Sequence, residues 1–492
     1  MLLASLLGIS IAAKTPRVGP LIIPRPKQSK WTGAEWIFPA KVTIVIGSPP
    51  LDRVAAEAIQ REIVAYGGQK PLIQMQPPRR GPFIGIGEAA QTPWMRRALG
   101  KKVSNVPPSP EGYWIDASEG RVLIAGRTSK ATLGGAESLC QMIHASGSSL
   151  SIPVGRIRDW PTLGWRGVHL FLGNKALHFH KKLIVNILNR FKINHLVLEC
   201  EEIKWDAIGD AAPDWAMTKA DLKEEVAFAR SHGITVVPLL NSIGHMNWLL
   251  KNKRFGDLAE DPKTKAVVSP SNPRTYKLIK AIYAEALPIF QTPVLHIGAD
   301  EVSLGSRYPF KSANKYPLAS DLFVSQVQTL NRMLRGQGVR TAMWADMLYS
   351  KQESPGNSGA PTTEQAVAIR KGIPKKTILF EWRYRPEGAP ERLAILKNAG
   401  FKRVVGATWL RWPAIQANSK ALADNGFAGL LSTTWVGYNS QEKNIYSHES
   451  DFSAMVVVAE ESWNGGTIPL DQLGYGPAVV LRKAYALPMQ KP

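Results

Sequence analysis

Cysteine is nearly missing from this chain: Cys140 and Cys200 are the only two among 492 residues. A disulfide framework and a cysteine-built metal centre are thereby excluded, and two buried free thiols are the expectation. No stretch supplies the ~20 uninterrupted apolar residues of a membrane span. Low-complexity tracts are absent as well, and 44% hydrophobic with 20% charged residues is the composition of a folded globular protein. Acidic residues are in deficit, 39 against 61 basic ones, for a formal charge of +22. The basic residues are scattered, with only short clusters such as Lys181-Lys182 and Lys375-Lys376, and no nucleic-acid motif accompanies them. A solvated basic surface without a nucleic-acid partner is the reading, and a face for an anionic polymer is the alternative.

Several catalytic signatures are missing too. There is no G-x-S-x-G elbow for a serine nucleophile and no H-E-x-x-H for a metal. His245 has no partner histidine at helical spacing, and Gly134-Gly135 sits in a helix-like stretch rather than in a phosphate-cradling loop. Neither a metal nor a cofactor is expected.

What is present divides into regions. The start, MLLASLLGISIAAKTP, carries a short apolar run ending in small residues. Residues 1–15 are read as an export signal for a periplasmic or secreted protein, the alternative being an ordinary apolar first strand. Residues 16–158 mix strands and helices: Val42–Ile46 and Phe83–Ile86 read as strands, and Ser118-Glu119-Gly120 reads as a hairpin turn. This is an α+β domain, and Pro153–Pro161 reads as its connection to the second region. Residues 159–470 alternate regularly. Eight strand candidates (WRGVHLF, INHLVLE, GITVVPLLN, PVLHIGAD, VRTAMWAD, KTILFEW, FKRVVGAT and AGLLSTTW) are separated by helical segments. Eight strand–helix units in ~300 residues point to a (β/α)8 TIM barrel, and near-continuous apolar strands fit a parallel sheet covered by helices. Residues 471–492 are expected as a tail packed on the barrel.

In such a barrel chemistry sits at the C-terminal ends of the strands. The strand PVLHIGADEVS ends in two adjacent carboxylates, Asp300 and Glu301. A turn with solvated charges is the plain reading of such a pair; two acids reaching two atoms of one ligand is the functional one. The other strand ends favour the second. They carry Glu201 and Glu202, Asn241 and His245, Trp344 and Asp346, then Glu381, Trp382 and Tyr384, Trp409 and Trp412, and Trp435. A sugar needs this mixture: aromatic faces for its C–H surfaces and charged groups for its hydroxyls.

These segments resemble a known family. HIGADE, His296–Glu301, resembles the His-x-Gly-Gly-Asp-Glu signature of family 20 glycoside hydrolases, the β-N-acetylhexosaminidases. WRG at Trp165–Gly167, SIGHMNWL at Ser242–Leu249, MWADM at Met343–Met347, FEWRY at Phe380–Tyr384 and LLSTTW at Leu430–Trp435 are similar to further family segments, in the same order. The likeness is greatest to bacterial exo-acting members. It implies removal of a terminal β-linked N-acetylglucosamine or N-acetylgalactosamine from a glycan, with retention, the substrate's own acetamido oxygen attacking the anomeric carbon. Glu301 would be the general acid and base, and Asp300 would orient the acetamido group and stabilise the oxazolinium. The resemblance implies Arg166 as the ligand of sugar hydroxyls O3 and O4, and Trp344, Trp382 and Trp435 as the acetamido wall. It further implies His245 beside the acids, Glu201 and Asp346 as rim contacts, and Tyr384 as the partner of the acetamido oxygen.

Three departures stand out. The family has an Asp soon after the first-strand arginine and an Arg a few residues later, where this chain reads VHLFLGNKALHF; the second signature glycine is Ala299; and TWLRWP replaces a Tyr-x-Asp after the seventh strand. Two alternatives therefore stay open: a barrel that binds amino-sugar glycans without cleaving them, and an endo-acting hydrolase of acetamido glycans.

Overall fold

The computed structural model describes residues 19–147, 149–302 and 305–489. The stretch 1–15 read as an export signal lies outside the described residues. No helix among the described residues is long and apolar enough to cross a membrane.

Helices begin where short polar side chains can accept the unpaired amide hydrogens of a first turn. Thr128, Thr218, Asn272 and Thr362 each do so. The first domain is an eight-stranded sheet in the order β1-β8-β5-β6-β4-β2-β3, with β7 paired to β8. The strands are β1 Gln28–Ile37, β2 Thr43–Ile46, β3 Leu72–Gln74, β4 Phe83–Glu88, β5 Tyr113–Ser118, β6 Arg121–Gly126, β7 His144–Ser146 and β8 Ser149–Asp159. Helices Leu51–Ala65 and Ser129–Met142 contribute Ile59, Ile63 and Leu139 to the core on one face of this sheet. Two elements differ from the sequence reading. The segment that reads as a connection is β8, which pairs antiparallel with both β1 and β5. β1, an edge strand that is exposed along most of its length, carries no apolar alternation to reveal it.

Eight parallel strands then close a barrel in chain order: β9 Trp165–Phe171, β10 His195–Glu199, β11 Thr235–Leu239, β12 Val294–His296, β13 Arg340–Trp344, β14 Ile378–Trp382, β15 Val404–Thr408 and β16 Gly429–Ser432. Side chains alternate along each strand, so one parity fills the lumen and the other packs on the helices. Val197, Trp344, Phe380 and Leu431 belong to the lumen cluster, whereas Val168, Leu170, Leu196 and Leu198 join the outer core. The closing helix Glu449–Asn464 is buried at every position from Asp451, and its Trp463 belongs to the core of the first domain.

Candidate active site

Strand β12 is only three residues long. Beyond it the backbone turns sharply, with positive φ at Gly298 (69°), Ala299 (74°) and Glu301 (47°). A left-handed conformation costs an L-residue about 1–2 kcal/mol, and two non-glycine residues in one such turn are a concentration of strain of the kind kept at functional sites. Gly298 is required twice over: its φ is positive, and a Cβ there would lie 1.8 Å from the Asn241 Oδ1. The turn undoes the alternation expected of neighbours on a strand. Asp300 and Glu301 thus line the same pocket.

That pocket, at the C-terminal end of the barrel, has a volume of about 320 Å³. Trp344, Trp382, Tyr384 and Trp435 line it together with the acids and His245. The aromatic side is a packed set: the Trp344 and Trp435 rings lie 6.2 Å apart and those of Trp382 and Tyr384 5.3 Å apart. The Tyr384 hydroxyl accepts the Trp435 indole N–H at 2.9 Å, so its own O–H remains a donor.

His245, itself at φ 54°, is nearly equidistant from the two acids: its Nε2 is 3.3 Å from Asp300 Oδ2 and 3.4 Å from Glu301 Oε2. Its hydrogen bonds to Asp300 and then to Glu301 hold the imidazolium to about pH 11. These three residues are also the one group of side chains, among those described, whose ligand atoms converge as metal ligands would.

Three predicted site residues do not line the pocket. Asp346 is buried beneath it, where its Oδ2 accepts the Glu301 backbone N–H at 2.9 Å. Burial, and then the nearby Asp300, raise its pKa to about 7. Glu201 is buried as well: Oε1 accepts the Asn241 backbone N–H at 2.8 Å, and burial drives its pKa well up. Neither is a rim contact; both hold backbone that carries pocket residues. Arg166 is the larger correction. It is the second residue of β9 and shares the outward parity of Val168 and Leu170, so it sits at the opposite end of the barrel from the acids. There it pairs with Glu111, donates from Nε to the Lys192 carbonyl at 2.9 Å, and stacks on Trp463 at 4.9 Å. Glu381 shows the same parity effect, buried against Arg392 outside the lumen.

Conversely, Phe171, Glu199, Asn241 and Tyr438 line the pocket. Asn241 is among the strand-end residues marked in the sequence; Phe171, Glu199 and Tyr438 do not stand out there as binding residues. Glu199 has the lumen parity of Val197, which the sequence could have revealed. Tyr438 comes from the loop after β16, and nothing local marks it. Glu199 Oε2 is hydrogen-bonded to His169 Nε2 at 2.8 Å, and its Oε1 accepts longer bonds from the Tyr438 hydroxyl (3.2 Å) and Asn241 Nδ2 (3.3 Å). Burial first, then the charge of Asp300, raises Glu199 to about 8, while burial lowers His169 to about 3. At neutral pH the pair is therefore an uncharged hydrogen-bonded couple.

Comparison with known proteins bears on the family and the fold. Residues 207–410 match the profile described as Glycosyl hydrolase family 20, catalytic domain, and residues 19–160 match that of Glycosyl hydrolase family 20, domain 2. Among curated proteins, Lacto-N-biosidase of Bifidobacterium bifidum is 25% identical over 250 residues, 48% of this chain and 22% of the relative. Beta-hexosaminidase of Vibrio furnissii is 26% identical over 263 residues, 44% of this chain and 43% of the relative. The chain thus spans less than half the length of these relatives. Among solved structures, Streptomyces plicatus N-acetyl-beta-hexosaminidase in complex with Thio-NAglucal superposes with a TM-score of 0.72 at 17% identity, over 97% of each chain. At that identity the likeness speaks for the fold. The two profiles together account for most of the sequence, in the family's order of domain 2 followed by a catalytic barrel, and the chain belongs to glycosyl hydrolase family 20.

Proposed function

We propose that this protein is an exo-acting glycoside hydrolase that removes a terminal β-linked N-acetylhexosamine with retention, the substrate's acetamido group serving as nucleophile. The observation that carries this reading is the Asp300–Glu301 pair, linked through His245 at 3.3 and 3.4 Å, in an aromatic pocket of about 320 Å³. Two adjacent acids fed by one turn do not suit a mechanism in which carboxyls stand ~5 Å apart on the two faces of a sugar. They do suit an internal nucleophile. Asp300 would accept the acetamido N–H, turning the carbonyl oxygen toward C1. Glu301 would give its proton to the glycosidic oxygen as the C1–O bond breaks, and the aglycone would leave as an alcohol. The oxazolinium cation formed at C1 would be stabilised by the Asp300 carboxylate. Glu301, now a carboxylate, would take a proton from water, whose oxygen attacks C1 and reopens the ring in the β configuration. Tying the nucleophile to the substrate gives it a high effective concentration, which leaves orientation to the protein. Trp344, Trp382 and Trp435 would enclose the acetamido methyl, and the Tyr384 hydroxyl would donate to its oxygen.

The test uses chromogenic β-N-acetylglucosaminide, β-N-acetylgalactosaminide and β-glucoside with the wild type, Glu301→Gln and Asp300→Asn. Cleavage of an acetamido sugar alone, lost in both variants, is expected. Equal cleavage of the glucoside would overturn the internal nucleophile, and no cleavage of any substrate would leave a sugar-binding barrel instead.

A further inference from the structure

Asn241, His245, Asp300, Glu301, Trp344, Trp382 and Tyr384 fall within the stretch matched to the family's catalytic domain; Phe171, Glu199, Trp435 and Tyr438 fall outside it. A hexose bound in this pocket exposes more than its acetamido side. With C1 at Glu301 and the C2 substituent against Asp300 and the tryptophans, the far edge of the ring carries the hydroxyls on C3 and C4. Among the described residues, no arginine or lysine lines the pocket, and Arg166, the expected ligand of those hydroxyls, is sealed at the other end of the barrel.

From this arrangement we infer that Glu199 is the residue that receives the C3 and C4 hydroxyls of the bound sugar, and that it sets the pocket's preference for a fully hydroxylated ring. The inference rests on the amino-sugar reading above. Of the three carboxyl groups lining the pocket, Asp300 and Glu301 are engaged with His245. Glu199 is the carboxyl left for the rest of the ring, with Asn241 and Tyr438 beside it. It ends β10 with its side chain in the lumen, and its orientation is fixed from behind by His169 at 2.8 Å. The exposed side of the carboxyl makes only the two long contacts with Tyr438 and Asn241, 3.2 and 3.3 Å, which an incoming hydroxyl can replace or extend. Phe171 packs edge-on against Tyr438 with ring centroids 4.8 Å apart, an apolar flank for the ring's C–H face. With Oε2 held by His169, Oε1 is the atom that meets the hydroxyls, and an oxygen with two lone pairs can accept from one of them while Tyr438 or Asn241 keeps the other. The family's arginine and this uncharged carboxyl would solve one recognition problem with different chemistry.

The experiment measures binding, so it does not depend on turnover. Titrating N-acetylglucosamine and its 3-deoxy and 4-deoxy analogues into the wild type should give about tenfold to a hundredfold weaker binding of one or both deoxy sugars. In Glu199→Ala the parent sugar should weaken by a similar factor, and the difference between parent and deoxy sugars should shrink to about threefold or less. Glu199→Gln, of the same shape, should melt with the wild type and keep part of the discrimination. A purely structural Glu199 would weaken all three sugars alike and leave the discrimination intact, which would overturn the assignment. A wild type that binds N-acetylglucosamine without distinguishing the deoxy analogues overturns it as well, while sparing the amino-sugar reading. A wild type that neither binds N-acetylglucosamine nor cleaves the chromogenic substrates overturns both.

Discussion

Asp159 and Asp300 are both sheltered carboxyls, one at the domain junction beneath the barrel and one at the barrel's mouth. Asp159 accepts from the Tyr113 hydroxyl (2.5 Å), the Trp463 indole (2.9 Å) and the backbone of Lys27 (2.9 Å) and Trp160 (3.0 Å). Asp300 has a buried Oδ1 without a protein hydrogen-bond partner, and the same holds for Asn241 Oδ1, His169 Nδ1 and Asp346 Oδ1 around it. Both ends of the barrel hold acids, cations and tryptophans. The two acids differ in whether the chain completes their hydrogen bonds, although the junction also keeps an open buried atom, Lys192 Nζ over the Trp463 ring. A sheltered polar atom left open costs roughly 1–3 kcal/mol, and at the mouth the open atoms of Asp300 and Asn241 belong to residues that line the pocket.

Removing a group from each end tests that contrast. Glu301→Gln should lower kcat/KM on a chromogenic N-acetylhexosaminide by about 10²–10⁴-fold, with an unchanged melting temperature. A variant that melts early would make Glu301 structural after all. Arg166→Met should do the reverse. Breaking the buried pair with Glu111 should destabilise by about 3–5 kcal/mol, read as an earlier urea midpoint. Once folded, it should leave KM for a monosaccharide substrate as it was, and a raised KM at normal stability would return Arg166 to the binding machinery.

A subtler effect is expected with pH. Glu199 and Asp346 titrate near 8 and 7 in the folded protein, against about 4 in an unfolded chain. The native state therefore binds more protons between about pH 4 and 8, and that share of stability is present below pH 4 and lost as pH rises through 7 and 8. Melting temperature should fall from pH 5 to 8.5, and Glu199→Gln should flatten the fall; an equally steep fall in the variant would show that Glu199 is already ionised when folded. Smallest of all, Ala299→Gly should relieve the left-handed backbone at φ 74° and stabilise by up to about 1 kcal/mol, provided the turn stores strain.

The barrel is legible in the sequence because eight apolar runs alternate with helical periods, and that pattern has few other solutions. The acid pair is legible because it ends a strand. The misreadings concern direction rather than existence. Arg166 is marked by a motif, although its place near the start of a strand, in step with Val168 and Leu170, already turns it outward. Glu199 is easily passed over because it closes an apolar run just before the more conspicuous Glu201-Glu202. Tyr438 and Phe171 meet only through closure of the barrel, which brings β16 beside β9, and no local pattern encodes that meeting. β8 is hidden by Pro153 and Gly155, residues that read as loop until the sheet around them is known.

Trp463, which completes the first domain's core from the last barrel helix, has a bearing on synthesis. A ribosome delivers residues in order, and domains generally fold as they emerge. Here one wall of the opening domain's core, Trp463, emerges about 300 residues after Ile157, so that domain gains its last large core side chain only when the barrel is nearly made.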